Sequence, residues 1–224
     1  MSIFSHHSHF SNRRVTSATA GFTLIELLAV AAIITVITAF VVFRQSSFDS
    51  STVLRSLAYG VSLSVRQTQV YGISVLRSAA SPNAVPAYGL YFGNSTQNYT
   101  LFADINGNSA LDVNEVVKVF NLSNGYSVSE VCMHLPPSTF RCNGADDTTG
   151  SATITYASII FQRPNPDAKY ASFYSSGVKL AETYDSAYVR ISAGSSSRLV
   201  KITTTGEINV CPLNDTVSAA YTNC

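Results

Sequence analysis

The strongest constraint in the chain is an apolar run, Phe22 to Phe43, 22 residues whose only charge is Glu26. At about 1.5 Å rise per residue a helix of that length spans roughly 33 Å, the thickness of a hydrocarbon core. The run therefore predicts one membrane-spanning helix. A secretory signal would have a shorter apolar region followed by a small-residue cleavage site, but here the small residue, Gly21, comes first. Cleavage after Gly21 would remove a polar leader and keep the helix. Arg13 and Arg14 upstream favour a cytoplasmic amino terminus, and Arg44 at the far end weakens that asymmetry.

A carboxylate inside a membrane costs on the order of 3 kcal/mol on insertion scales, so an intramembrane acid is a functional hypothesis by default. Two readings of Glu26 are open on these grounds: snorkelling to the interface, or pairing with a cation on another subunit.

The heptapeptide Gly21-Phe22-Thr23-Leu24-Ile25-Glu26-Leu27 resembles the processing site of type IV prepilins and type II secretion pseudopilins. The resemblance implies cleavage after Gly21 by a prepilin peptidase and methylation of the new terminal Phe22. It further implies that Glu26, fifth in the mature chain, attracts the terminal amine of a neighbouring subunit during assembly. Two desolvated opposite charges attract far more strongly than the same pair in water, which makes the implied role physically sound.

The remaining 181 residues, 44–224, read as one exported domain. Only 12% of the chain is charged, about half the usual share. Without Arg13 and Arg14 there are 12 basic against 13 acidic residues, so the electrostatic footprint of a nucleic-acid binder is absent. The four cysteines, Cys132, Cys142, Cys211 and Cys224, suit two disulfides in an oxidising compartment, and no CxxC spacing supports zinc or redox chemistry. Three connectivities are possible; the expected one joins nearest neighbours, Cys132 to Cys142 and Cys211 to Cys224.

After Phe43, Val53, Leu57, Val61 and Val65 recur every four residues with Leu54 and Ala58 beside them, the pattern of an amphipathic helix that packs on a sheet. Ser46, Ser47 and Asp49 to Thr52 are expected to bend or restart it, and Gly60 and Gly72 to weaken it. From Ala87 onward the segments AYGLYFG, NYTLFAD, VVKVFNL, YSVSEVCM, ATITYASIIFQ, AYVRISAG and RLVKITTTGEINV are β-branched or aromatic and bounded by Gly, Asn and Ser. The expected fold class is α+β: a long amino-terminal helix packed against antiparallel sheets.

The stretches LFADINGNSALDVNEVVKVF, IIFQRPNP and RLVKITTTGEINV are similar to the H-type minor pseudopilins and the FimT/FimU minor pilins. The resemblance implies a type IV pilin-like architecture. It divides the chain into a leader (1–21), the membrane and assembly half of the helix (22–43), the amphipathic half and its connection (44–80), and a β-rich domain (81–224). It also implies a structural subunit without enzymatic activity or cofactor, held first by lipid in the bacterial inner membrane with its carboxyl-terminal domain outside the cytoplasm. From there it would enter a pseudopilus or pilus. The implied partners are the prepilin peptidase, other major and minor pilin or pseudopilin subunits and the inner-membrane assembly platform. An alternative is a minor pilin that binds DNA or a surface in natural transformation or adhesion, but near the closing strand only Arg198 and Lys201 supply cations, beside Glu207. DNA is accordingly not expected as a partner.

Asp104 to Glu115, DINGNSALDVNE, places oxygen-bearing side chains at positions 1, 3, 5, 9 and 12, which approximates an EF-hand loop with Ser109 at the glycine position. The preferred reading is a β-hairpin turning at Asn106-Gly107, with no metal. The alternative is calcium held by Asp104, Asn106, Asn108, Asp112 and Glu115. His134 is the only histidine after the leader, and no HExxH or GxSxG accompanies it.

Overall fold

Residues 24–73 contain no proline and form a single helix, α1 (Leu24–Ile73). Thr23 caps its start: the Glu26 N–H donates to Thr23 Oγ1 at 3.3 Å and the Leu27 N–H to the Thr23 carbonyl at 3.2 Å. The helical backbone continues through Ser46–Thr52, where the serines suggested a break. The computed structural model describes residues 21–74, 85–93, 96–122, 125–144, 154–213 and 224. Residues 1–20 of the leader, residues 75–80 of the connection and the first two residues of ATITYASIIFQ lie outside the described residues. The chain divides into two compact units, residues 1–45 and 46–224.

In the first unit, Leu24–Phe43 has a mean hydropathy of 2.6 and none of it is buried within the protein. It is long and apolar enough to cross a membrane. Thr35 and Thr38 return their hydroxyls to the carbonyls of Ala31 and Ile34, each at 2.7 Å, so neither leaves an unsatisfied donor on the apolar helix surface.

The second unit adds ten strands: β1 (Ala87–Gly93), β2 (Asn98–Asp104), β3 (Val116–Asn121), β4 (Ser127–Leu135), β5 (Thr139–Cys142), β6 (Tyr156–Phe161), β7 (Ala168–Phe173), β8 (Ser186–Ala193), β9 (Ser196–Thr203) and β10 (Ile208–Leu213). They make two antiparallel sheets, ordered β3-β2-β1-β6-β7 and β10-β9-β8-β4-β5. A bridge from Thr96 to Val128 links the two. Together with the long apolar helix this is an α+β chain.

Consecutive strand residues serve different cores, as a period of two requires. Leu90 and Phe92 of β1, Ile159 and Phe161 of β6, Val189 and Ile191 of β8, and Val200 and Ile202 of β9 join one central cluster. Their neighbours Tyr91 and Ile160 belong to a small cluster on the other face of the first sheet, and Tyr188 and Leu199 to one on the other face of the second. Because both faces are apolar, these strands read as nearly continuous apolar runs rather than alternating ones.

Helix α1 closes the central core with Leu54, Ala58, Val61 and Val65, all fully buried. The buried stripe is thus one residue removed from the expected start, for Val53 faces solvent and Leu57 lies at the margin. Further along, Thr68 and Gly72 continue the stripe. Gly72 is needed there, because a Cβ would stand 2.4 Å from the Phe161 carbonyl oxygen of β6. Backbone cannot rotate out of the way as a side chain can. Gly72→Ala should therefore lower stability by about 1–3 kcal/mol, more than the helix propensity it gains. Gly60→Ala meets nothing within 4 Å and should raise stability by roughly 0.5–1 kcal/mol. Thermal unfolding of the two variants in detergent should shift in opposite directions; shifts of one sign would refute the close-packing argument.

Candidate functional site

Two groups of residues singled out by sequence lie among the described residues. The first is the start of α1. Gly21 is exposed and an added Cβ there meets nothing within 4 Å, so the fold itself makes no demand for glycine. Phe22, Leu24 and Ile25 are 81%, 82% and 70% exposed. Glu26, one turn in, is exposed too, and among the described residues it forms no ion pair. Among the described residues, no cation thus meets this carboxylate on a helix that is otherwise apolar for twenty residues.

The second group is the loop joining β2 to β3, and the two strands do form an antiparallel hairpin. The connection is longer than a tight turn: β2 ends at Asp104 and β3 begins at Val116. Gly107 adopts φ +75° and Ser109 φ +68°, two left-handed positions that curl the chain back on itself. Asn106 Oδ1 accepts the Asn108 N–H (3.0 Å) and Asn108 Oδ1 the Ala110 N–H (2.7 Å). Their amide nitrogens both donate to Asp112 Oδ2, at 2.7 and 2.9 Å. Glu115 Oε1 accepts from the Ile105 and Asn106 N–H groups and Oε2 from that of Asp112. The five candidate ligands of the calcium alternative are therefore gathered in one loop, with Ala110 and Leu111 packed against the outer cluster of the first sheet.

Both expected disulfides are present, Cys132–Cys142 across the β4–β5 pair and Cys211–Cys224 tying the last residue to β10. They lie in one apolar cluster with Phe140, Tyr188 and Leu199. Glu130 approaches Cys132 and Cys142, but sulfurs joined in a disulfide are not thiolate ligands.

Several buried polar contacts had no sequence signal because their partners are far apart in the chain. Arg190 Nε donates to Glu130 Oε2 at 2.9 Å across the β4–β8 register. Arg141 is bound to Glu182, which raises the guanidinium pKa, and Tyr184 donates to the same carboxylate at 2.6 Å. Burial is the larger cause pushing the Tyr184 phenol well above its ordinary value. His134 Nδ1 and Asp185 Oδ1 are 2.6 Å apart, and Ser186 also bonds to that oxygen. Since Asp185 further exchanges backbone bonds with His134 and Thr204, this cluster stitches the strand ends of the second sheet. On β9, Arg198 donates to the Cys211 carbonyl at 3.0 Å, so one of the two cations near the closing strand is engaged within the domain.

Comparisons with family models, with curated proteins and with solved structures yield no match.

Proposed function

We propose that this chain is a minor pilin or pseudopilin: a non-enzymatic subunit held by α1 in the inner membrane, processed after Gly21 and packed through that helix into a type II secretion pseudopilus or a type IV pilus. Its position would be in the initiating or tip complex, where one domain contacts other minor subunits. The observation that carries the reading is Glu26, an acid without an ion pair among the described residues on an exposed apolar helix, five residues after Gly21. Cleavage between Gly21 and Phe22 creates a cation at the same membrane depth as that carboxylate, a new amino terminus. Pairing between subunits would satisfy both charges in the assembled state and tie one subunit to the next. The exposed apolar surface from Leu24 to Phe43 gives the same helix a face for lipid before assembly and for neighbouring helices after it.

Mass analysis of the amino terminus of the chain extracted from membranes tests this. The expected product starts at N-methylated Phe22 and lacks residues 1–21; a chain that retains Met1 in cells assembling pili or pseudopili would sink the proposal.

A further inference from the structure

We propose that the β2–β3 loop is a calcium site, with Asp104, Asn106, Asn108, Asp112 and Glu115 supplying the side-chain oxygens. The deciding observation is Asp104. It is only 5% exposed, its Oδ2 accepts the Ser109 N–H at 3.1 Å, and its Oδ1 is buried with no hydrogen-bond partner. The bond to Ser109, five residues on, turns this carboxylate toward the inside of the loop. A buried carboxylate oxygen without a partner is strongly disfavoured unless a cation or donor meets it. Glu115, at the other end of the loop, is 4% exposed.

The charge balance points the same way. Asp104, Asp112 and Glu115 bring three carboxylates into twelve residues, and among the described residues none of them forms an ion pair. The nearby Lys179 donates to Ser109 Oγ at 2.9 Å instead. Asn106 and Asn108 direct their amide nitrogens at one oxygen of Asp112, so the side chains at loop positions 3, 5 and 9 converge, and rotation of the two amides would turn their oxygens toward a bound cation. The departure from an EF-hand at position 6 is one of residue type and not of shape, because Ser109 adopts the left-handed φ of +68° that glycine normally provides there.

The donor set selects the metal. All five ligands are oxygens, with no imidazole or thiolate to favour zinc or copper, and calcium accepts six to eight oxygens in flexible geometry. Magnesium demands a near-octahedral shell and retains its waters, which a loop built from side-chain oxygens does not suit. Binding would also fix Ala110 and Leu111 over Phe102 and Ile160 on the outer face of the first sheet.

The test is titration of the metal-stripped full-length chain in detergent with calcium chloride, followed by calorimetry and thermal unfolding, with magnesium chloride as the comparison. Expected are one saturable site with a dissociation constant of about 10⁻⁵–10⁻³ M, a midpoint that rises with calcium, and much weaker binding of magnesium. Asp112 is exposed, so Asp112→Ala should keep the fold, checked by near-ultraviolet dichroism, and weaken calcium at least tenfold; Asp104→Asn should do the same. The proposal is overturned by the absence of calcium heat and midpoint shift in the folded wild-type chain, or by binding that both variants leave unchanged.

Discussion

Gly21→Ala should leave the leader on the protein. The substitution adds one methyl group at an exposed position where a Cβ meets no atom within 4 Å, so the folded chain should not register it. A peptidase pocket shaped for glycine would register it strongly, since one extra methyl or methylene changes transition-state binding by roughly 1–3 kcal/mol, or about 10- to 200-fold in rate. The expected result is accumulation of the full-length precursor in the membrane, with thermal unfolding of the second unit unchanged. Without the new terminus, Phe22 has no free amine and the partner for Glu26 is missing from every subunit that carries the change. If the variant is processed at the wild-type rate, glycine at this position is not what the peptidase reads. If instead unfolding shifts, Gly21 has a role in the fold that its open surroundings do not reveal.

Much of the fold was legible because its signals are local. Each expected strand segment contains a strand, and β1 and β2 begin and end with the segments AYGLYFG and NYTLFAD. Nearest-neighbour disulfides were the expected choice among three connectivities and are the ones formed; the pairing of β4 with β5 explains the first, since Cys132 and Cys142 are direct partners in register. What escaped had weak or misleading local signals. The strand β7, AKYASF, is rich in small residues, and β5 is only four residues long, stabilised by the strand it pairs with. RLVKITTTGEINV reads as one segment but folds as β9 and β10, because Gly206 at φ +80° reverses the chain between them. In α1 the spacing identified an amphipathic helix but its apolar face was read one residue early at Val53, since periodicity alone does not say which edge of a stripe meets the sheets.

The two candidate sites differ in the same way. Gly21, Phe22 and Glu26 form a contiguous motif, so sequence names them without any fold. For the β2–β3 loop the spacing suggested oxygens, yet the same residues suit a hairpin, and both features occur together in the structure. Which reading the loop supports depends on the burial of Asp104 and the unpartnered Oδ1, facts that arise only when the loop folds back over the first sheet. The ion pair between Glu130 and Arg190, sixty residues apart in the chain, is of the same kind: only the β4–β8 register brings the two together.

Glu26→Gln should separate processing from assembly. Glutamine keeps the size and the helix propensity of glutamate, and residue 26 is exposed, so neither the helix nor the domain has reason to change. Insertion into the membrane should become easier, because an intramembrane charge is removed. Incorporation should move the other way. In the assembled state the amine of a neighbouring Phe22 would lie in low dielectric facing a neutral amide, and removing one member of such a buried pair costs about 2–5 kcal/mol. At 1.4 kcal/mol per tenfold this is roughly a thirtyfold loss or more in the fraction of subunit recovered in sheared filaments or in cross-linked complexes with companion subunits. Glu26→Asp, which keeps the charge one methylene further from its target, should retain part of the activity that the glutamine variant loses. The ordering wild type, Asp, Gln, with equal cleavage after Gly21 in all three, is the signature of a charge pair. A snorkelling carboxylate predicts a different ordering: it serves only its own subunit, so the neutral variant would insert more readily and assemble as well as the wild type.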